Sequence, residues 1–173
     1  MEEEIINRVA KSPLLTVDLE EIYDQAERVD YDIADNLFQG LILKEQDFRT
    51  FIKEHDWSQY QGKNVRIFSS ADAIIPTWAF MLLVTKIEPV ANFVMVGSKK
   101  EFELSLFNKE FESMDWSQFQ DRPVVVKGCG DLDISETIYG EITRRLIPKV
   151  KSLMFGEPCS TVPVYKRPKT AKI

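Results

Sequence analysis

Hydrophobic and polar positions predict a strand, a helix and a second strand in the middle of the chain. The β-prone run Val65–Phe68 is followed by an apolar stretch at Trp78–Ile87, which is typical of a buried helix, and then by the strand-like run Ala91–Val96. Pro76 suits the first turn of the helix, because a proline lacks only an N–H that has no intrahelical partner there. The pattern therefore predicts a β-α-β unit.

The same order returns further along the chain, with a strand at Pro123–Lys127, a helix at Ser135–Ile147 and a strand at Ser152–Phe155. This second helix is amphipathic, because isoleucine and leucine recur every four residues on one face. Those residues are Ile134, Ile138, Ile142 and Leu146. A second β-α-β unit is therefore predicted.

An internal repeat explains the two units. The hexapeptide DWSQYQ at 56–61 returns as DWSQFQ at 115–120, which is 59 positions later (115 minus 56). The register continues without a gap, so that Gly97 corresponds to Gly156. We interpret this as a duplication of Asp56–Gly97 in Asp115–Gly156. Within the hexapeptides, Trp57 and Trp116 are expected to pack under the preceding helix, which makes the motif structural.

Helical stretches at Lys44–Glu54 and Lys99–Glu112 precede the two hexapeptides. The predicted fold class is therefore α/β, with internally duplicated helix-strand-helix-strand units that form a mainly parallel, helix-covered sheet. The runs Leu14–Leu19 and Arg28–Ile33 predict an N-terminal extension of one or two strands, for which antiparallel pairing is one option. We expect a single domain over 1–173 that ends in a basic tail at 164–173.

Composition places the chain among ordinary globular proteins, with 173 residues, 44% hydrophobic and 29% charged. No apolar run approaches the roughly 18 residues of a membrane span, and the acidic start is unlike a secretory signal, so a cytoplasmic protein is expected. The net charge of −6 combines an acidic N-terminal region with a basic C-terminal one. Nucleic-acid binding is disfavoured, because the basic tail has no aromatic platform and the acidic region would repel phosphate. The two ends could instead pack together, within one chain or across a homodimer.

Candidate chemistry lies where parallel strands end, because the loops at that edge of a sheet converge. The first strands are followed by SSAD at 69–72 and GCGD at 128–131, and the last strand by GEPC at 156–159. Cys129 and Cys159 are therefore predicted at one edge, where two thiolates could hold one ion.

A metal site at this edge would combine the thiolates with the carboxylate of Asp131 or Glu157, a ligand set suited to zinc or ferrous iron. Ser70 and Asp72 occupy the equivalent positions in the first unit and are further pocket candidates. His55 precedes the first strand and belongs to the opposite edge, so it is not expected to bind the ion. The competing interpretation of each cysteine is a small buried hydrophobic residue.

Two catalytic classes lack their motifs. The chain has one histidine and no Gly-x-Ser-x-Gly, which disfavours a serine hydrolase. The Gly-Cys-Gly segment at 128–130 lacks the third glycine of a dinucleotide loop, and Asp133 at that position would oppose phosphate.

The strings SADAIIPTWA at 70–79 and FGEPCSTVP at 155–163, together with Leu41–Gln61, resemble an uncharacterised bacterial family, domain-of-unknown-function family 2480. The resemblance implies an accessory role beside SUF-type iron–sulfur cluster assembly proteins. The leading hypothesis is thus an accessory factor that binds a metal or a protein partner. The alternatives are a pseudo-symmetric dimerisation scaffold with inert cysteines and a thiol-dependent enzyme, and we lean against an enzyme.

Overall fold

The computed structural model describes residues 14–128 and 130–168, which form alternating helices and strands. In chain order the elements are β1 (Leu15–Val17), α1 (Leu19–Ile22), β2 (Arg28–Asp32), α2 (Glu45–Glu54), β3 (Asn64–Phe68), α3 (Thr77–Ile87), β4 (Phe93–Val96), α4 (Lys99–Ser113), β5 (Pro123–Val126), α5 (Glu136–Leu146), β6 (Ser152–Glu157) and β7 (Ser160–Lys166). Short 3₁₀ turns lie at Ile33–Asn36, Trp57–Tyr60 and Trp116–Phe119.

The chain divides into two compact units. The inserted unit is Asp24–Leu106, and the split unit combines Met1–Tyr23 with Phe107–Ile173. Each unit has its own sheet, with the order β2-β3-β4 in the inserted unit and β1-β5-β6-β7 in the split unit. The prediction of one domain over 1–173 stays a prediction.

Parallel pairing dominates both sheets. In the inserted unit β3 is parallel to both β2 and β4, and in the split unit β5 is parallel to both β1 and β6. The predicted α/β class is therefore confirmed, with two mainly parallel sheets in place of one. The antiparallel option for the N-terminal strands is wrong, because both β1 and β2 join their sheets in parallel. Parallel strands need a long connection between them, and the segments that connect the paired strands here are long enough.

The two copies of the repeat fold alike. In both, a 3₁₀ turn over the hexapeptide is followed by strand, helix and strand, and the starts of α3 and α5 are 59 positions apart. Backbone bonds also recur at this offset: Gly62 N donates to Val90 O, and Asp121 N donates to Lys149 O, both at 2.9 Å. Both units therefore use the same β-α-β framework.

The two N-terminal strands join the two copies of the repeat in reverse order: the first strand pairs with the second copy, and the second strand pairs with the first copy. The first strand of the chain, β1, pairs with β5 of the second copy, through Leu15 opposite Val124. The next strand, β2, pairs with β3 of the first copy, through Val29 opposite Val65. The inserted unit consequently lies, in sequence, between the two parts of the split unit.

Each unit has a core of buried apolar residues. The core of the inserted unit contains Tyr31, Ile33, Leu43, Phe48, Ile52, Tyr60, Val65, Ile67, Ala79, Leu83 and Ile87. The split unit buries, among others, Val17, Leu19, Phe111, Phe119, Val124, Val126, Ile138, Ile142, Leu146 and Leu153. The buried residues of α5 are Ile138, Ile142 and Leu146, which confirms the amphipathic face predicted for that helix.

The C-terminal segment differs from the prediction. Where the sequence predicts a tail from 164, β7 continues to Lys166 and pairs antiparallel with β6. Residues 169–173 lie outside the described residues. The strand was missed because it is an edge strand whose residues are mostly exposed, so its sequence carries little hydrophobic alternation.

Candidate functional site

The repeated hexapeptide holds the local structure of each unit. Trp57 Nε1 donates to the carbonyl oxygen of Ile52 at 3.0 Å, and Trp116 Nε1 donates to that of Phe111 at 2.8 Å. These carbonyls belong to the ends of the preceding helices, which have no intrahelical partner for their last C=O groups. The predicted packing of both tryptophans under the preceding helix is confirmed.

The carboxyl edge of the split unit contains a polar cavity of about 230 Å³. It lies beyond the ends of β1 and β5, where ligands of parallel sheets usually bind. Its lining consists of Asp18, Leu19, Glu20, Lys127, Gly128, Gly130, Leu132, Asp133, Ile134 and Tyr139. The structure therefore places a cavity at the edge that the sequence selects for candidate chemistry.

An ion pair crosses this edge. Lys127 Nζ donates to Asp18 Oδ2 at 2.7 Å, while Asp18 Oδ1 accepts from the backbone N–H of Glu20 at 3.0 Å and caps α1. Burial acts to raise the pKa of Asp18, but the hydrogen bonds from Lys127 and the backbone outweigh it and hold that pKa below its usual value. The hydrogen bond to Asp18 raises the pKa of Lys127, and Glu157 and Glu20 add to this through their charge. The Lys127 ammonium thus forms its ion pair with Asp18 and is influenced electrostatically by two further acidic side chains.

Two glycines shape the loop after β5. The ring of Phe155 lies where a Cβ on Gly128 would project, and the carboxylate of Glu20 lies where a Cβ on Gly130 would project. Glu20 Oε1 also accepts from the backbone N–H of Leu132 at 2.8 Å. A Cβ at Gly128 would clash with an aromatic ring, whereas a Cβ at Gly130 would displace the Glu20 carboxylate from its hydrogen bond with Leu132.

Three of the four predicted ligands lie in the part of the chain that the structure describes. Cys159 is an exposed free thiol in the two-residue turn between β6 and β7, and Glu157 is half-buried at the end of β6. Asp131 is exposed in the loop after β5. Cys129 lies outside the described residues, so a site shared by the two cysteines stays a prediction. Over residues 14–128 and 130–168, no three His, Cys, Asp or Glu side chains form a group that could hold a metal ion.

The equivalent edge of the inserted unit has different chemistry. Asp32 takes the place of Asp18, and its Oδ1 accepts from the backbone N–H of Ser70 and of Ala34, both at 3.0 Å. Ser70 thus helps to hold a loop, and Asp72 is exposed. Phe68 occupies the position of Lys127, so this edge has no corresponding ion pair.

His55 lies at the C-cap of α2 in the inserted unit. Its ring is 4.5 Å from that of Trp57 and 4.7 Å from that of Phe51, measured between centroids. A histidine at the end of this helix agrees with the prediction. Its position follows from aromatic packing.

Sequence analysis missed four polar residues that line the cavity: Asp18, Glu20, Lys127 and Asp133. Asp18 and Lys127 are 109 positions apart, and only the pairing of β1 with β5 brings them together. One local signal was present, because Asp-Leu-Glu at 18–20 and Asp-Ile-Ala at 32–34 both come at the end of a short strand. In each case the aspartate caps the next turn.

Comparison with known proteins gives one match. A family model described as "Protein of unknown function (DUF2480)" covers residues 3–167. No curated protein and no solved structure matches the chain. Over the described residues, no helix is both long and apolar enough to cross a membrane.

Proposed function

The chain belongs to the DUF2480 family of proteins of unknown function, and we propose that it is an accessory protein that binds a metal ion at the carboxyl edge of its split unit. The ion is zinc or ferrous iron. Its ligands are the thiolates of Cys129 and Cys159, with a carboxylate from Asp131 or Glu157. The protein acts as a binding factor and not as an enzyme.

The observation that carries this proposal is the position of the Cys159 thiol. It is exposed at the carboxyl end of β6, beside a half-buried Glu157. The neighbouring strand β5 leads into the loop that contains Cys129 in its sequence. Thiolate and carboxylate ligands are those that zinc and ferrous iron accept in proteins.

The Cys129 thiolate is indispensable in this proposal. Without it, the described residues offer no group of three ligands for an ion. An exposed cysteine with one carboxylate is too small a ligand set for a tetrahedral site, which needs four donors including any water. Loss of either cysteine leaves one thiolate and one carboxylate, so each single Cys→Ser change should weaken binding.

Metal analysis of protein purified without a metal-affinity tag tests the site. We expect about one zinc or iron per wild-type chain and a strongly reduced amount in both Cys129→Ser and Cys159→Ser. His55→Ala is the matched control, because it removes a metal-binding residue type from the inserted unit, and it should retain the ion. Binding should also weaken on acidification from about pH 7.5 to 5.5, since protons compete for the thiolates. Unchanged metal content in Cys129→Ser would contradict the proposal.

We further propose that the bound ion serves iron–sulfur cluster assembly, with SUF-type assembly proteins as partners. This part is supported by the family resemblance of the 70–79 and 155–163 strings. Calorimetric titration of the metal-loaded protein with a purified SUF-type scaffold complex checks it, with Cys129→Ser as the metal-depleted control. Heat of binding that is equal for both proteins, or absent for both, would contradict a metal-dependent role.

A further inference from the structure

An apolar groove runs along the unprotected edge of the inserted unit. Strand β4 (Phe93–Val96) ends the sheet order β2-β3-β4, and β3 is its strand neighbour in the part of the chain that the structure describes. The groove beside it has a volume of about 510 Å³ and is lined by Thr77, Phe80, Met81, Val84, Thr85 and Val96. Met81 is 64% exposed and Val96 is 39% exposed. Exposed apolar surface of this kind typically marks an interaction site.

The split unit shows what covers the equivalent edge. There, β6 corresponds to β4, and β7 pairs antiparallel along its whole length, from Ser152 opposite Lys166 to Glu157 opposite Ser160. The corresponding apolar groove, between α5 and β6, is lined in part by Val164 of β7. In the split unit, an antiparallel strand therefore pairs along this edge and contributes an apolar side chain to the groove.

The other sheet edges carry features that oppose pairing with another chain. Strand β1 has only three residues. Strand β2 carries Arg28, Asp30 and Asp32, and β7 carries Pro163 and Lys166. Short strands, charges and proline are the usual means by which edge strands avoid pairing.

Strand β4 is also short, with four residues, but it carries neither a charge nor a proline. It lies within Val90–Ser98, a run of nine residues without a charge or a proline. Edge strands present unpaired backbone N–H and C=O groups, and an uncharged apolar edge is an open template for a further strand. The contrast with the other edges indicates that β4 is used for pairing.

We propose that β4 pairs antiparallel with β4 of a second copy of this chain, which makes the protein a two-fold homodimer. A two-fold axis perpendicular to the sheet joins the two inserted units into one six-stranded sheet, with both α3 helices on the same face. The Met81 and Val96 side chains of the two grooves then contact each other across the axis. The proposal does not depend on the metal site, which belongs to the split unit.

A second copy fits this edge because its own β4 has the required chemistry. Identical strands pair in a closed, self-complementary way only when they run antiparallel about a two-fold axis. The absence of charge over Val90–Ser98 means that no like charges face each other in that arrangement. Each copy both fills a groove and offers one, so the dimer leaves neither β4 edge open.

Mass determination by light scattering and sedimentation on the full chain tests the proposal. At micromolar concentrations we expect twice the chain mass of 20.0 kDa. Met81→Lys and Val96→Lys should weaken dimerisation at least about 30-fold, as expected for central apolar interface residues. Leu41→Lys is the matched control for Met81→Lys, because Leu41 is 65% exposed in a loop of the same unit. Val162→Lys lies on β7, the outer strand of the split unit's sheet, and tests whether the dimer forms through that strand instead. Both controls should remain dimeric.

Hydrogen exchange with the same proteins locates the interface. Backbone amides of β4 should exchange faster in Met81→Lys than in wild type, while those of β6 should be unchanged. Circular dichroism establishes that each variant is folded. The proposal is overturned by a wild-type monomer, by a dimer that Val162→Lys breaks and Met81→Lys does not, or by a monomer with protected β4 amides. The last result would mean that a segment of the same chain covers the edge.

Discussion

The two copies of the repeat differ most in the segments attached after their last shared residue. After Gly97 the inserted unit continues into α4, where Ser98 and Glu101 form a reciprocal capping box: Ser98 N donates to Glu101 Oε2 at 2.8 Å, and Glu101 N donates to Ser98 Oγ at 3.3 Å. After Gly156 the split unit turns through Pro158 into the β7 hairpin. Among the described residues, the β4 edge therefore has no further strand beside it, whereas the β6 edge is covered by β7. The comparison teaches that the repeated sequence builds the framework, while the attached segments decide which edges can bind.

The carboxyl edges differ in the same way. At the carboxyl end of the central strand, at positions 59 residues apart, the split unit has Lys127, which pairs with Asp18. The inserted unit has Phe68 there, and its ring lies 4.1 Å from the guanidinium carbon of Arg66. Arg66 in turn forms two hydrogen bonds to Asp30, at 2.8 and 2.5 Å. The same backbone site thus carries a cavity-lining ion pair in one unit and a packed cation–aromatic contact in the other.

The largest expected effect on stability comes from removing the equivalent tryptophans of the two copies. Trp57→Ala and Trp116→Ala should each lower the free energy of unfolding by about 3 kcal/mol, the lower end for aromatic truncation, because both rings are half-buried. Trp57→Phe and Trp116→Phe keep a ring and lose the hydrogen bond, so they should cost only about 1 kcal/mol. Chemical denaturation measures all four. Midpoints near wild type for the alanine variants would mean that the hexapeptide has a role other than structure.

Replacing the equivalent glycines Gly97 and Gly156 by alanine should lower the stability of the protein by different amounts. A Cβ at Gly156 would lie 2.7 Å from the backbone oxygen of Ser160, and the residue has φ 116°, which side chains rarely adopt. Gly97 has φ 157°, which is also disfavoured for side chains, but its nearest neighbours are the side-chain ends of Glu101 and Met95, at 3.1 and 3.2 Å, and not backbone. We expect Gly156→Ala to destabilise by about 2–3 kcal/mol and Gly97→Ala by about 1 kcal/mol. Thermal and chemical denaturation check the order, and equal losses would show that the hairpin adjusts as easily as the capping box.

The smallest effect concerns the Lys127–Asp18 pair. Since the folded-state pKa of Asp18 is lowered, its stabilisation is present above the ordinary value of about 3.9 and is lost as the pH falls through the folded-state pKa. The pKa of Lys127 is raised, so its part is present below about 10.4 and is lost as the pH rises further. Lys127→Met should therefore lower the denaturation midpoint between these limits and lose its effect in acid.

A matched ion pair serves as the control for this pH profile. Arg49 and Glu45 form an exposed i,i+4 pair on α2, and Arg49→Met should change the midpoint little at any pH. Lys127→Phe copies the residue of the inserted unit and should behave like Lys127→Met in acid. A midpoint difference for Lys127→Met that persists at about pH 2, below the ordinary pKa of an aspartate, would show that its methylene stem, and not its charge, supports the edge.

Local pattern was sufficient for most of the framework. The predicted helix Trp78–Ile87 is α3 from Thr77 to Ile87, and the predicted helix Ser135–Ile147 is α5 from Glu136 to Leu146. These elements follow from apolar periodicity and from helix boundaries set by proline, which act over a few residues. The rule for parallel sheets selected an edge at which the structure has a cavity. Its cavity lining was not predicted, because Asp18 and Lys127 come together only through strand pairing.

The sequence by itself determined the α/β class, the duplication at an offset of 59 positions, and the structural role of Trp57 and Trp116, because each depends on short-range pattern or on repetition. Tertiary structure alone decided that β1 joins the second copy, that the strands divide into two sheets, and that Ser160–Lys166 covers β6. It also decided that β4 has β3 as its one strand neighbour within residues 14–128 and 130–168. The reason is physical: strand pairing is made by backbone groups that every residue carries, so a sequence specifies partners only through the packing of the whole sheet.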